Sequence, residues 1–219
     1  MPQPINYQRL MESEIKALEI AGTKPRLLLH VCCAPCSSAV LELLCAHFDV
    51  TCYYYNPNIS PRAEFDKRIA ELRRLTDEMP LSKKPAVIEG AYDETRFSDI
   101  ARGLEDLPEG GERCFKCYRL RLSETAKLAR EQGYEYFTTT LSVSPYKNAA
   151  KLNQLGGELA KEFGISYLFS DFKKSDGYLR SIRMSEKYRL YRQNYCGCVY
   201  SARQAQNKNE SNGNNQPRP

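Results

Sequence analysis

RLLLHVCCAPCS, residues 26–37, contains a strand, a bend and a helix start, and its reading decides the fold. The apolar run 26–31 is too short for a helix and reads as a buried strand. Residues 37–47 then place Val40, Leu41 and Leu44 at helical spacing. Upstream, residues 7–21 form an expected helix stopped by Gly22. Downstream, 49–55 (DVTCYYY) is β-rich and ends in the turn chemistry of Asn56-Pro57-Asn58. A charged amphipathic helix is expected over 61–78, a short strand over 86–89 and a helix over 114–133 following Gly110-Gly111. Further strands are expected over 134–140 and 165–170, with a helix over 148–163 ended by Gly164.

Strands alternating with helices predict an α/β fold, a parallel sheet flanked by helices with right-handed crossovers. At 219 residues the chain suits a single domain, expected over 1–205. Residues 206–219 (QNKNESNGNNQPRP) are polar and low in complexity, so a disordered tail is expected there. Ligands in such sheets bind beyond the carboxyl ends of the strands. CCAPCS, NPNISP, TLSVSP and SDFKKSDG all fall at those ends, which argues for one shared site.

Composition narrows the function. Apolar residues make up 42% and charged residues 27%, an ordinary globular balance. No apolar run approaches the ~18 residues a membrane span needs. The polar stretch at 1–19 lacks a signal-peptide core, so a cytoplasmic location is expected. Lys and Arg number 13 against 17 acidic residues up to Gly110, and 19 against 10 after it. A basic second half points to a polyanionic partner.

Nine cysteines in a chain expected to stay in a reducing compartment point to metal binding or redox chemistry rather than a disulfide framework. Seven fall in three groups: Cys32, Cys33 and Cys36; Cys114 and Cys117; Cys196 and Cys198. Cys45 and Cys52 stand apart and read as small buried apolar residues. The two CxxC pairs, 33–36 and 114–117, can turn four thiolates toward metal. Adjacent Cys32 and Cys33 are unusual for zinc and favour an iron–sulfur centre. Predicted helix starts beside the cysteines favour thiolates and a net-negative cluster. Cys196-Gly-Cys198 reads either as a strained, labile disulfide or as two further ligands. Two competing readings remain: a zinc-site RNA-binding protein, and a thioredoxin-like thiol–disulfide oxidoreductase with CAPC as its active pair.

Six motifs in order, HVCCAPCS (30–37), YYNPNISP (54–61), ERCFKCYRLRL (112–122), TTLSVSPYKN (139–148), DFKKSDGYLRS (171–181) and YRQNYCGC (191–198), together resemble the QueH-type epoxyqueuosine reductases. The resemblance implies a sheet like that of the adenine-nucleotide α-hydrolase (PP-loop, or HUP) proteins. It implies the last step of queuosine synthesis: reduction of the epoxide of epoxyqueuosine at the wobble position of tRNA, leaving an alkene. It also implies a cobalamin-independent enzyme with a 4Fe–4S cluster held by Cys32, Cys33, Cys114 and Cys117, and a redox-active pair in Cys196 and Cys198. Some members of the family have Asp at the position of Cys36 and hold a second, mononuclear iron, so Cys36 is a candidate ligand for one. The electron donor is unidentified. CCAPCS stands where a PP-loop protein has its glycine-rich nucleotide loop, so no ATP use is expected. Asp171, Asp176 and Tyr146 are candidates to protonate the departing oxygen. Arg113, Arg119, Arg121, Lys147, Lys173, Lys174 and Arg180 are candidate RNA contacts, and His30 is expected to pack rather than catalyse.

Overall fold

Leu27, Leu28 and Leu29 have no exposed surface, so the first strand, β1 (Arg26–His30), is covered on both faces. That explains its unbroken apolar run, since parallel sheets are covered by helices above and below. The computed structural model describes residues 5–212, and among them β1 is the middle of five parallel strands. β2 (Asp49–Tyr54) and β3 (Ala86–Glu89) lie on one side of it; β4 (Tyr136–Thr139) and β5 (Ser166–Tyr167) lie on the other. His30 is level with Tyr53 of β2 and Thr139 of β4. The order β3-β2-β1-β4-β5 reverses direction between β1 and β4, the switch point where such sheets open a crevice.

Alternate residues of β1 feed opposite cores, as the two-residue period of a strand requires. Leu27 and Leu29 pack with Met11 of α1 (Tyr7–Ala21), Leu41 of α2 (Ala34–His47), Phe65 of α3 (Arg62–Glu78) and Met184 of α7 (Gly177–Lys187). Leu28 packs with Tyr118 and Leu122 of α5 (Glu112–Glu131) and Leu152 of α6 (Ala149–Phe163). Each such leucine contributes about 1.5–3 kcal/mol. A third cluster joins Phe97 and Ala101 of α4 (Glu94–Ala101) to Cys117 and Cys198.

The expected sheet and flanking helices are present, and α1 and β3 have the expected bounds. Three helices were not anticipated: α4, α7 and α8 (Val199–Asn212). α4 is capped by the Asp93 carboxylate, which accepts the Thr95 N–H, but buries only Phe97 and Ala101. The expected fifth strand shortens to two residues. Beyond it Leu168 still donates its N–H to Phe137, and the Asn153 side chain accepts the Ser170 N–H. Residues 206–212 of the stretch expected to be disordered lie in α8, which is anchored by buried Ser201 and Ala205; residues 213–219 lie outside the described residues. No helix among the described residues is long and apolar enough to cross a membrane.

Gly177 opens α7 where a Cβ would sit 1.9 Å from the Phe172 carbonyl oxygen. Backbone must move to relieve that contact, so Gly177→Ala is expected to destabilise the protein by about 1–3 kcal/mol. Urea unfolding checks this, with Gly157→Ala as the control, since its nearest contact is a ring at 3.3 Å.

Candidate functional site

At the switch point the chain leaves β1 through Val31 and turns into α2 at Cys33, which is extended, with Pro35 in the first helical turn. Proline suits that position because its missing N–H would have no helical partner. The bend brings three sulfurs together: the Sγ atoms of Cys32, Cys33 and Cys36 lie within 4.8 Å of one another. Cys32 and Cys33 are 3.8 Å apart, and Cys32 lies 3.7 Å from Thr140 Oγ1 in the 3-10 turn (Thr140–Val143) that follows β4. A tetrahedral metal with sulfur at ~2.3 Å has an S–S edge of about 3.8 Å, so this trio is spaced to hold a metal. Hydrogen bonds from Cys32 and then Cys36 hold the Cys33 thiol well below the usual range, and the Arg68 charge adds to them. Cys36, bonded to both neighbours, is pushed well up.

Cys114 and Cys117 do not join that group. They occupy the first turns of α5, three apart on one face, and line a small neighbouring cavity with Cys196 and Cys198. The Gly110 N–H lies 3.3 Å from Cys114 Sγ. Burial pushes the Cys117 thiol up to about 12. Gly197, at φ 120°, allows the sharp turn between Cys196 and Cys198, and its carbonyl accepts the Ser60 N–H. Cys198 Sγ in turn accepts the Ser201 N–H at the start of α8. All nine cysteines are free thiols. Cys196 and Arg121 belong to both cavities, so the two sulfur-lined spaces share a wall.

The profile of one protein family, Epoxyqueuosine reductase QueH, matches residues 27–204. The chain belongs to this family. A protein named epoxyqueuosine reductase QueH from Streptococcus pyogenes serotype M1 is 42% identical over 203 residues, covering 92% of this chain and 80% of its own. One of the same name from Staphylococcus epidermidis is 41% identical, covering 91% and 86%. An NH3-dependent NAD synthetase from Campylobacter jejuni aligns over 96% of both chains at 13% identity and a TM-score of 0.37, too loose a likeness to argue from. The protein is thus a QueH-family enzyme, an oxidoreductase.

Several residues expected to contact RNA or donate protons are engaged elsewhere in this QueH-family enzyme. Arg113 is buried and donates to the carbonyls of Leu104, Glu105 and Leu107, while stacking over Tyr200. It fastens the loop before α5 and is not available to phosphate. Arg119 is half-exposed and bridges α5 to α6 through Glu158 and Glu162. Lys173 pairs with Asp171 at 2.9 Å, Arg180 pairs with Glu42, and Lys174 borders a groove among α1, α2 and α7. Asp176 is exposed ahead of α7, and neither it nor Asp171 lines either sulfur cavity. Lys147 and Arg121 do line the first cavity, but both are buried: Lys147 holds Glu109 at 2.8 Å, and Arg121 is wholly enclosed. Of the three acid candidates, Tyr146 alone borders the cavity.

Arg68 is the residue that sequence reading missed. It donates to Glu64 at 2.7 Å and to the Cys196 carbonyl at 3.0 Å. A signal existed: Phe65, Arg68, Ile69 and Leu72 form one buried stripe of α3, and a charge on such a stripe marks a buried partner. Cys45 and Cys52 are buried away from the site, as expected of apolar cysteines.

His30 packs as expected, its ring bonded to Thr139 Oγ1 at 2.8 Å and the Tyr55 carbonyl at 3.1 Å. Burial, with the Arg121 charge second, lowers its pKa to about 3. In the unfolded chain it titrates near ~6.5. Between those values only the unfolded state holds the extra proton, so stability falls as pH drops through this window, by up to about 1.4 kcal/mol per unit. Urea unfolding from pH 7 to 4 is expected to show a shallower pH slope in His30→Gln than in the native protein.

Proposed function

We propose that this enzyme reduces epoxyqueuosine to queuosine at the wobble position of tRNA, using an iron–sulfur centre in the paired sulfur cavities. The observation carrying this reading is the convergence of seven cysteines from three distant stretches on two adjoining cavities at the switch point. Substrate and reaction come from the family to which the chain belongs.

The residues suit a net-negative sulfur-bound group. Buried donors with no protein partner include Arg121 Nε and Nη2, Arg113 Nη2 and Asn58 Nδ2, all on side chains lining the second cavity, and Arg68 Nη2 beside the first. Unpaired buried donors are costly, and sulfide or thiolate sulfur satisfies them. On this reading Cys32, Cys33, Cys114 and Cys117 would hold the 4Fe–4S cluster, Cys36 would be a ligand to a second iron, and Cys196 with Cys198 would form a dithiol beside the shared wall. When bound, the cluster would supply electrons singly, and the second iron would supply Lewis-acid chemistry toward oxygen.

The chain's own groups do the rest. Tyr146, Tyr178 and Tyr195 border the first cavity and give flat surfaces for a base extruded from a single-stranded loop. Lys147, held by Glu109, keeps an ammonium in the cavity wall, and Tyr146 supplies a hydroxyl there. Both are hydrogen donors among the residues lining that cavity. On this reading Tyr146 or Lys147, rather than Asp171 or Asp176, donates the proton. A tRNA substrate places the enzyme in the cytoplasm, served by an unidentified electron donor.

The test is anaerobic incubation of the reduced, iron-loaded protein with tRNA carrying epoxyqueuosine, followed by nucleoside mass spectrometry. Loss of one oxygen atom's mass is expected. An unchanged nucleoside with iron intact overturns the reading. A colourless zinc protein that binds RNA, or a metal-free protein that reduces disulfides, establishes an alternative.

A further inference from the structure

Two arginines are sunk into the site at a cost. Arg68 is 2% exposed and Arg121 is 1% exposed. Taking a guanidinium out of water costs several kcal/mol unless opposite charge and hydrogen bonds offset it. Arg68 has a carboxylate in Glu64, yet its Nη2 bonds nothing. Arg121 has one bond, to the Asn56 side-chain oxygen at 3.2 Å, with Nε and Nη2 unpartnered. No carboxylate pairs with Arg121 among the described residues. What surrounds it in the two cavities is sulfur: it lines the first with Cys32, Cys33 and Cys196 and the second with Cys114, Cys117 and Cys198, so all three cysteine groups share its walls. Arg68 lines the first cavity with Cys32, Cys33 and Cys36 and donates to the Cys196 carbonyl at 3.0 Å. Among the described residues no carboxylate is bonded to Arg121, and both cavities it lines are walled by cysteine sulfur.

We propose that Arg68 and Arg121 are a pair of positioning cations that hold the sulfur centre's reduced, more negative state, Arg121 from the wall between the two cavities and Arg68 from the Cys33 side. The inference rests on the iron–sulfur reading above. Adding an electron increases negative charge inside a low-dielectric enclosure. Fixed positive charge and N–H donors aimed at sulfur favour that state, and net charge and hydrogen bonding are among the protein's main controls on cluster potential. Arginine suits the role because it does not lose its proton when buried. An exposed cation would be screened by water and act weakly.

The experiment is a redox-dye titration, followed by visible absorption, of anaerobically purified native protein, Arg121→Met, Arg68→Met and Arg121→Lys. Methionine roughly keeps the side-chain length and removes the charge. At the native midpoint, the ratio of reduced to oxidised centre is expected to fall at least about tenfold in each methionine variant, a shift of ~59 mV for one electron. Arg121→Lys, which keeps the charge, is expected to stay within about threefold of native, as the smaller loss of hydrogen-bond geometry implies. A ratio unchanged in an iron-loaded methionine variant overturns the proposal, because a purely structural arginine would not set the potential. Should Arg121→Met fail to fold, Arg68→Met decides by the same criterion. Native protein without iron sinks the iron–sulfur reading itself, whereas native protein with iron and unmoved variant potentials sinks only the arginine pair.

Discussion

Cys33→Ala is expected to lose its iron and lower turnover by more than about a hundredfold, the upper range for removing even an outer-shell partner of a metal ligand. Cys33 belongs to the sulfur trio, and hydrogen bonds from Cys32 and then Cys36, with the Arg68 charge, hold its thiol well below the usual range. Its side chain makes no cap bond to α2, and the Ser37 contacts at this turn use its backbone carbonyl. Alanine therefore leaves the helix start intact, and the loss is one of chemistry rather than folding. Iron content, visible absorption and product formation are measured together. Cys52→Ala is the control: that thiol is buried in β2 and raised by its apolar surroundings, so iron and turnover are expected to persist. Full iron and turnover in Cys33→Ala contradict the assignment.

Arg113→Ala is expected to destabilise the protein by about 3 kcal/mol and to leave tRNA affinity of the folded protein unchanged. Three carbonyls, of Leu104, Glu105 and Leu107, accept from one guanidinium nitrogen at 2.9, 2.7 and 2.6 Å. Removing a charged donor from buried acceptors costs about 1–3 kcal/mol each where water cannot enter. Losing the side chain's packing on Tyr200 adds to that. Arg119→Ala, which breaks only half-exposed pairs, is expected to cost less than about 1 kcal/mol. Denaturant midpoints and filter binding separate the two effects. A stable Arg113→Ala protein with weakened tRNA binding would restore the arginine to the RNA surface.

These contrasts show what the sequence carried and what it did not. The strand-bend-helix at CCAPCS was legible because the preceding apolar run reads as a buried strand and Pro35, with its fixed φ and missing N–H, suits a first helical turn. α1 was legible for a similar reason: its apolar spacing runs cleanly from the Asn6 cap to Gly22, whose φ of 63° ends the helix. α4 and α7 were not, because each is short and polar and takes its one buried face from tertiary packing. The sulfur groups were visible as spacing, but their division between two cavities depends on where α5 and the 196–198 turn pack. The charges misled for a physical reason. Lys147 and Glu109 lie 38 residues apart, and Arg119 and Glu158 lie 39 apart, so their neutralising partners cannot be seen along the chain. Arg68 was hidden the opposite way, since its i,i+4 pairing with Glu64 looks like an ordinary solvent-facing pair.

The most direct measurement is the metal and sulfide content of the protein purified without oxygen, read with its 57Fe Mössbauer spectrum. Iron accompanied by inorganic sulfide, lost when either Cys33 or Cys117 is replaced by alanine, is the expected result. Bound zinc without sulfide from iron-replete cells, or iron retained in full by both variants, would contradict a shared sulfur centre at the switch point.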